Sequence, residues 1–259
     1  MTILEKITTD KRLQVARDRR AVPIAQLERR PEFVRQRLRL SDFLRRPDRT
    51  GIIAEFKRHS PSRGYINRTA TVEQVTDAYA RHGASGISVL TDEPYFKGNN
   101  QDLIAARTTV ELPILRKEFV VEEYQIVEAA AIGADAILLI AECLSAAEVR
   151  DFARLARQLD LEVLLEIHSE EQLEKWTPDV TIVGVNNRNL KTFEVSVENS
   201  VNLFPRLPTE SLRISESGIS DPATIRRLRE VGFEGFLIGE RFMKAEDPGS
   251  SFATFVEQL

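Results

Sequence analysis

The sequence of 259 residues has few of the residues that build disulfide or zinc scaffolds. Its single cysteine, Cys143, cannot form an internal disulfide, and its three histidines, His59, His82 and His168, are too scattered to predict a structural zinc site. No basic histidine lies near Cys143 in sequence, so we expect this thiol to pack rather than to react. These shortages exclude disulfide scaffolds and zinc modules.

Long apolar runs are also missing. No window approaches the roughly 18 consecutive apolar residues that a membrane span needs. The first six residues, Met-Thr-Ile-Leu-Glu-Lys, carry charge where a signal peptide would have its apolar stretch. We therefore expect a cytoplasmic protein that makes no contact with a membrane.

The sequence has no overall excess of basic charge. Its formal net charge of −4 gives no field that would attract nucleic acid, so we expect no nucleic-acid partner. Residues 1–50 are nevertheless basic, and they could steer an anionic substrate or bind RNA. They contain neither interleaved aromatic residues nor an RNA-binding motif, so we interpret their charges as solvated helix faces.

Eight short apolar runs recur after Pro47 and predict eight strands. They are near-continuous rather than alternating, as expected of parallel strands covered on both faces, and their starts are spaced by about 20–35 residues, which leaves room for a helix between each pair. The runs are Gly51–Lys57, Gly86–Asp92, Pro113–Phe119, Ala136–Glu142, Glu162–His168, Ile182–Arg188, Arg213–Ile219 and Gly235–Arg241.

Helix signals fill the intervals between these runs. The signals are capping boxes at Thr71 with Gln74, Ser145 with Glu148 and Ser169 with Gln172, a helix start at Asp221-Pro222, and glycine helix ends at Gly83, Gly133 and Gly232.

This alternation predicts an α/β protein, a (β/α)8 TIM barrel over residues 48–259. Residues 1–47 are predicted to form an N-terminal helical extension of the same structural domain. A doubly wound open sheet would require a glycine-rich dinucleotide turn after its first strand, and the segment 57–64 contains none.

Polar residues end nearly every predicted strand. Because a barrel gathers these ends at one mouth, they favour an active site over a ring of charges that bridges rim loops. The residues are Glu55 and Lys57, Asp92, Lys117 and Glu118, Glu142, Glu166 and His168, Asn186 and Arg188, Glu216 and Ser217, and Glu240.

This set of residues is rich in lysines and carboxylates. It contains no recognisable nucleophile with its base, no metal-binding histidine pair and no cofactor fingerprint. It suits proton transfer at a carbonyl or enamine, in which a lysine with a lowered pKa donates a proton and a carboxylate removes one. A lysine Schiff base remains open as an alternative.

Small residues after the last two strands predict a phosphate site. The N–H groups of Gly218 and Gly239 and the hydroxyl of Ser217 precede expected helix starts, where barrel enzymes frequently bind phosphate.

The motifs in these positions resemble those of the indole-3-glycerol phosphate synthase family over essentially the whole chain. Five specific motifs occur in the order of the family: Ile53–Ser62, Leu115–Phe119, Glu166–His168, Gly184–Leu190 and Ser215–Ile219. The resemblance implies a small-molecule phosphosugar substrate with an anthranilate moiety, 1-(2-carboxyphenylamino)-1-deoxyribulose 5-phosphate, which is converted to indole-3-glycerol phosphate with release of carbon dioxide and water. It implies no cofactor and no metal, and we expect a monomer.

The resemblance also implies a role for each site residue. Lys117 would protonate the substrate ketone, and Lys57, beside Glu55, would contact the substrate carboxylate or serve the dehydration. Glu166 would stabilise a cationic intermediate or take a proton, with Asn186 and Glu216 orienting hydroxyls and amine. The expected binding residues are Ser217, Gly218, Gly239 and Glu240 for the phosphate, with Arg188, Ser60 and Pro61 close by, and Phe96 and Phe119 for the aromatic ring. The N-terminal extension would cover the mouth.

Three residues depart from the family pattern. Glu118 stands where aspartate is usual, and Arg241 and Glu142 stand where small residues are common. Another phosphosugar barrel, such as phosphoribosylanthranilate isomerase, and a non-catalytic scaffold are the alternatives. The pair of Lys57 and Lys117 distinguishes them, because neither alternative requires two lysines.

Overall fold

The computed structural model describes residues 2–190 and 192–259. Eight parallel strands, β1 to β8, close into a barrel in which each strand lies beside its neighbours in sequence and β8 pairs with β1. Their bounds are Ile52–Phe56, Gly86–Leu90, Ile114–Lys117, Ala136–Ile140, Glu162–Ile167, Ile182–Asn186, Leu212–Glu216 and Gly235–Ile238. The prediction of a (β/α)8 barrel is confirmed. Several strands end before the predicted runs do, because the polar residues at those ends lie in the following loops.

Helices surround the barrel. The α-helices, α1 to α12, are Ile3–Ala21, Ile24–Leu27, Leu40–Arg45, Val72–Arg81, Glu93–Phe96, Asn100–Thr109, Glu123–Ala131, Ala146–Gln158, Glu198–Leu203, Pro222–Val231, Glu240–Met243 and Pro248–Val256, and the 3-10 helices are Pro31–Val34, Glu170–Lys175 and Phe204–Arg206. A small antiparallel hairpin pairs His59–Ser60 with Gly64–Tyr65 in the loop after β1. In the described part of the chain, no helix has the length and apolar character needed to cross a membrane.

Two apolar layers hold the barrel together. One layer fills the space between the strands and the outer helices, and the other fills the barrel interior. Leu40 and Leu44 of α3 belong to the interior layer and close its lower end, where they pack against the first residues of two strands, Gly86 and Gly235. Glycine is needed at both positions, since a Cβ at Gly86 would lie 2.5 Å from Leu40.

The local helix signals were mostly right. Ser145 and Glu148 form the predicted reciprocal capping box, which supplies two of the unpaired N–H groups of the first turn with partners. The capping box predicted for Ser169 and Gln172 was wrong. The Gln172 side chain instead accepts from the N–H of His168 at 2.7 Å, so it braces the end of β5 and leaves Ser169 without a capping hydrogen bond.

Candidate active site

A cavity of about 390 Å³ opens at the carboxyl ends of the strands. Strands from all around the barrel contribute to its wall because their carboxyl ends share one mouth. Every residue to which the family resemblance assigned a role lines this cavity: Glu55, Lys57, Ser60, Pro61, Phe96, Lys117, Phe119, Glu166, Asn186, Arg188, Glu216, Ser217, Gly218, Gly239 and Glu240.

The centre of the cavity is the ammonium group of Lys117, the last residue of β3. Its Nζ lies 2.9 Å from Oε2 of Glu166 on β5 and 2.8 Å from Oε2 of Glu216 at the end of β7. Both carboxylates are almost fully buried. One cation therefore bridges two acids that come from two different strands, 49 and 99 residues further along the chain.

Burial and charge act against each other in this triad. Burial alone would lower the pKa of Lys117, but the charges of Glu166, Glu216 and Glu55 outweigh it and raise that pKa above its ordinary value. The sequence-based expectation of a lowered lysine pKa is therefore wrong for this arrangement. It failed because two acids face the lysine from distant strands.

The two acids of the triad differ from each other. Burial raises the pKa of both carboxyls, but in Glu166 it is outweighed by Lys117 and by His168, so the pKa of Glu166 lies below its ordinary value. In Glu216 the effect of burial on the pKa is larger than the opposing effect of Lys117, and the nearby Glu166 adds repulsion, so the pKa of Glu216 is raised. The acids share a single lysine and must titrate as a coupled pair.

A second ion pair lies on β1 and the loop after it. Lys57 Nζ is 2.6 Å from Oε1 of Glu55, whose side chain is buried. Gly239 provides the space for this carboxylate, because a Cβ at that position would lie 2.5 Å from Oε1 and 2.8 Å from Cβ of Glu55. The glycine that the sequence associated with phosphate therefore also sets the position of Glu55.

One side of the cavity is apolar and aromatic. The rings of Phe96 and Phe119 lie 5.9 Å apart and are tilted by 41°. Ile3, Leu4 and Ile7 of α1 line the same cavity. This side provides a surface on which a flat aromatic group can be desolvated.

The opposite side carries N–H groups and cations. Ser217 and Gly218 adopt left-handed conformations, with φ of +66° and +75°. Gly239 is the N-cap residue of the short helix α11, as expected. Gly218 does not precede a helix start directly, since α10 begins at Pro222 and its cap is the side chain of Asp221. The N–H of Gly218 therefore does not belong to a helix N-terminus, and no helix dipole favours an anion there.

Glu240 lies between two arginines on this side of the cavity. Its carboxylate is 3.3 Å from Arg63 and 3.4 Å from Arg188. Lys244 also lines the cavity. Arg241 uses its guanidinium elsewhere, donating to the carbonyl of Ser220 and to the hydroxyl of Ser251, both at 3.1 Å.

Three of the polar strand ends do not line the cavity, contrary to expectation. Asp92 follows β2 and caps α5, Glu142 accepts from Gln172, and His168 comes one residue after β5 ends, with Nε2 3.5 Å from Oε1 of Glu166. Beyond the last paired residue the alternation of side chains no longer holds, so period-two reasoning does not extend to them.

Sequence reasoning missed the loop after β6 as part of the wall. Leu190, Phe193 and Val195 line the cavity, and Val195 pairs with Arg188 in an isolated antiparallel bridge. Apolar residues in an otherwise polar loop were the available signal. Arg63 and Lys244 were missed as well, because arginine and lysine on loops are indistinguishable from solvated surface charges.

The donors and acceptors in the cavity suit proton transfer. Among residues 2–190 and 192–259, no group of three or more His, Cys, Asp and Glu side chains converges in a way that could hold a metal ion. Lys57 and Lys117 instead share one space with Glu55, Glu166 and Glu216, and this space has an aromatic wall and a cationic wall. The cavity can therefore hold an anionic group and an aromatic ring of the same ligand.

Solved structures with a similar fold include two proteins from Pyrococcus furiosus. The tryptophan synthase A-subunit gives a TM-score of 0.60 at 14% identity and covers 82% of this chain and 98% of its own. Thiamine phosphate pyrophosphorylase gives 0.57 at 15% identity, covering 80% of this chain and 94% of its own. At such low identities the likeness shows the barrel fold alone.

Closer relatives show the family. Residues 4–255 match the family model described as indole-3-glycerol phosphate synthase. Proteins described by the same words are 45% identical in Bacteroides thetaiotaomicron, over 99% of this chain and 98% of that protein, and 44% identical in Laribacter hongkongensis, over 97% of each. The chain therefore belongs to the indole-3-glycerol phosphate synthase family, whose members are carbon–carbon lyases of tryptophan biosynthesis.

Proposed function

We propose that the cavity closes the indole ring of 1-(2-carboxyphenylamino)-1-deoxyribulose 5-phosphate and releases carbon dioxide and water, using only side chains of this chain. The observation that carries the proposal is the Lys117 ammonium held between Glu166 and Glu216 at 2.9 and 2.8 Å, in a cavity with one aromatic and one cationic wall. The ring of the substrate lies against Phe96 and Phe119, and its phosphate lies on the opposite side.

Lys117 is the general acid of ring closure. As the ring carbon attacks the ketone carbon, the ketone oxygen develops the charge of an alkoxide, and the ammonium donates its proton to it. An alkoxide is a stronger base than an amine, so the raised pKa of Lys117 keeps the acid protonated without preventing transfer. Glu166 and Glu216 hold the ammonium in one place, which fixes the direction of the proton.

Glu166 stabilises the cation that ring closure creates. The closed ring carries positive charge until its carboxylate leaves as carbon dioxide, and a carboxylate with a lowered pKa remains ionised opposite that charge. Asn186 and Glu216 orient the substrate hydroxyls and amine. Loss of the hydroxyl as water then needs one proton delivered to oxygen and one removed from carbon, and Glu166 takes the proton from carbon.

The pair of Lys57 and Glu55 serves the substrate carboxylate and this dehydration. The ammonium of Lys57 attracts the carboxylate before decarboxylation and is a proton donor for the departing hydroxyl. Its separation of 2.6 Å from Glu55 keeps the ammonium directed into the cavity. A second acid is needed because Lys117 has already delivered its proton.

The phosphate binds beside Ser217, Gly218 and Gly239, with Ser60 and Pro61 on the loop after β1 close by. The N–H groups there attract an anion, and Arg63 and Arg188 stand within reach. Glu240 lies between these two arginines and holds both of them beside the proposed phosphate site.

The N-terminal extension, residues 1–47, covers the mouth through α1, and residues 48–259 form the barrel. Support for this division is that Ile3, Leu4 and Ile7 line the cavity, while α3 closes the opposite end. We also propose a monomer, because one copy of the chain supplies the acids, bases, aromatic wall and cationic wall that the reaction needs. Gel filtration at the assay concentration tests the monomer.

The decisive experiment offers the carboxyphenylamino-deoxyribulose phosphate to the purified protein and follows indole fluorescence. We expect product with the wild type and a loss of about 10²–10⁴-fold in kcat with Lys117→Met. Absence of product from folded wild-type protein at about micromolar concentration would overturn the proposal, since typical enzymes turn over about ten times per second.

A further inference from the structure

Lys11, in the middle of α1, is a lysine with almost no contact with solvent. Only 2% of the residue is exposed, whereas the other basic residues of α1 lie at or near the surface. A charged side chain is rarely buried unless it is paired, and its burial in a helix that could have used an apolar residue requires an explanation. The explanation lies in what its ammonium contacts.

The ammonium of Lys11 binds two buried carboxylates from two strand ends. Its Nζ lies 2.7 Å from Oδ1 of Asp92, which follows β2, and 3.0 Å from Oε1 of Glu118, which follows β3. It also donates to the side chain of Gln14 at 3.0 Å. The two acids are 0% and 4% exposed, so no water-rich surface screens this cluster.

Each of these carboxylates holds the backbone of one aromatic residue in the cavity. Oδ2 of Asp92 accepts from the N–H of Phe96 at 3.2 Å, and Oε1 of Glu118 accepts from the N–H of Phe119 at 2.8 Å. The two rings form the aromatic wall described above. Lys11 therefore joins, through one acid on each side, the two halves of that wall.

The same helix supplies the apolar part of the wall one turn away. Ile7 precedes Lys11 by four residues and lines the cavity together with Ile3. The ion pairs of Lys11 therefore determine where along the cavity wall these side chains contact the two rings. Tyr95, next to Phe96, is bound by the first half of α1 as well, because Lys6 donates to its hydroxyl at 3.0 Å.

We propose that Lys11 is a positioning residue for the aromatic half of the substrate, which it serves by tying α1 to Asp92 and Glu118 and so fixing the separation of Phe96 and Phe119. This inference rests on the proposed function, in which the two rings bind the carboxyphenyl group. Lys11 itself touches neither the substrate nor the reacting atoms.

Two unreactive ligands separate binding of the ring from binding of the sugar phosphate. One is 1-(2-carboxyphenylamino)-1-deoxyribitol 5-phosphate, and the other is 1-ethylamino-1-deoxyribitol 5-phosphate, which lacks the ring. For each variant, the competitive inhibition constant of the ethylamino ligand divided by that of the carboxyphenylamino ligand defines the aryl preference. This ratio refers only to folded, active molecules, so a loss of folded protein does not change it.

We expect Lys11→Met to lower the aryl preference by about 10-fold or more while the constant of the ethylamino ligand changes less than about twofold, because displacement of a wall by about 1 Å costs binding of the group that it contacts. Arg17→Met is the matched control: it removes a positive charge from an exposed position of the same helix and leaves the ratio unchanged. Phe96→Ala lowers the ratio directly.

Lys11→Met leaves two buried carboxylates facing each other and can prevent folding. The double variant Lys11→Met with Glu118→Gln removes that repulsion and keeps a side chain that can accept from Phe119, so it decides the question in that case. An unchanged aryl preference in whichever folded variant is measured overturns the role of Lys11. A wild type that binds both ligands equally overturns the aromatic site itself, and the inference with it.

Discussion

The two ends of the barrel each contain a buried cluster of acids and bases, and the clusters are built on opposite principles. At the lower end, both oxygens of Asp135 are fully used: Oδ1 accepts from Arg35 and the N–H of Leu38, and Oδ2 accepts from Arg107 and the N–H of Ile114, at 2.6 to 2.9 Å. Four donors thus surround one acid.

The cluster at the mouth has the reverse balance. Glu166 and Glu216 share Lys117, and Oε1 of Glu216 is buried with no hydrogen-bond partner among the described residues. An acid left in this state costs stability but retains the capacity to bind a group that the protein does not supply. The two ends therefore differ in whether their acids have all their hydrogen-bond partners, and not in burial or charge.

The largest effect is expected from removal of the central cation at the mouth. Lys117→Met should lower kcat by about 10²–10⁴-fold, because the general acid is lost. Its free energy of unfolding should fall by about 1–2 kcal/mol, because Glu166 loses the pairing that lowers its pKa, while Glu216, whose pKa is already raised, can take up a proton and limit the repulsion. Indole fluorescence and urea unfolding measure the two quantities.

The exposed Lys97 provides the control, and Lys97→Met should match the wild type in both assays. If Lys117→Met instead retained more than about a third of the activity, the acid would have to be sought elsewhere, first at Lys57.

Removal of the acid at the lower end should have the opposite outcome. Asp135→Ala leaves the buried Arg107 without its counter-charge and the N–H groups of Leu38 and Ile114 without their acceptor, so the free energy of unfolding should fall by about 3–5 kcal/mol. In the folded fraction kcat should stay within about twofold of wild type, because the lower face of a barrel contributes stability rather than catalysis.

Urea unfolding and active-site titration test this outcome together. Asp151→Ala is the matched control, because Asp151 is half-exposed and its pairing with Arg150 is at the surface. A kcat that fell in parallel with stability would remove the distinction between the two ends.

Glu216→Gln should separate activity from stability at the mouth. The raised pKa of Glu216 means that the folded protein binds this proton more tightly than the unfolded chain does. Ionising Glu216 therefore costs stability, a cost that is absent below the ordinary glutamate pKa of about 4.3 and complete above the raised pKa. Glutamine avoids it, so the variant should be more stable than wild type at neutral pH, by about 1 kcal/mol, and should lose about 10–100-fold in kcat.

The pH dependence of this variant gives an independent check. In the wild type, kcat/KM should fall as pH decreases through the raised pKa, because the proposed role of Glu216 requires its ionised form. In Glu216→Gln this acid limb should move to lower pH, where Glu166 with its lowered pKa takes a proton. A limb that stayed in place would assign the titration to another group.

The sequence predicted the barrel and its mouth because both depend on local patterns. Near-continuous apolar runs predict buried parallel strands, and polar residues at their ends predict what faces the mouth. Lys117 was identified in this way, but the direction of its pKa shift was not. That shift depends on acids 49 and 99 residues further along the chain, whose distances from Lys117 only the closed barrel sets.

Similar reasons explain what else was missed. The pairing of Lys11 with Asp92 and Glu118 joins three segments, and in the sequence Lys11 is one basic residue among many in a basic helix. The spacing from Ser169 predicted a capping box for Gln172, but its side chain instead accepts from the N–H of His168 at the end of β5. Spacing cannot rank a local partner against a distant one.

Gly239→Ala is the smallest change at the mouth, a single methyl group. The residue has a negative φ of −129°, so alanine does not meet the penalty of the left-handed region, but its Cβ would lie 2.5 Å from Oε1 and 2.8 Å from Cβ of Glu55. The substitution should therefore displace Glu55 and its partner Lys57, lowering kcat by about 10-fold, while inhibition by inorganic phosphate changes less than about twofold. In a Glu55→Ala background the same substitution should cost less, and this non-additivity identifies Glu55 as the intermediary. If phosphate binding weakened as much as kcat, Gly239 would act by letting the phosphate approach the backbone. The acids at the mouth would then tolerate displacement, in contrast to what we expect of the cluster around Asp135 at the lower end.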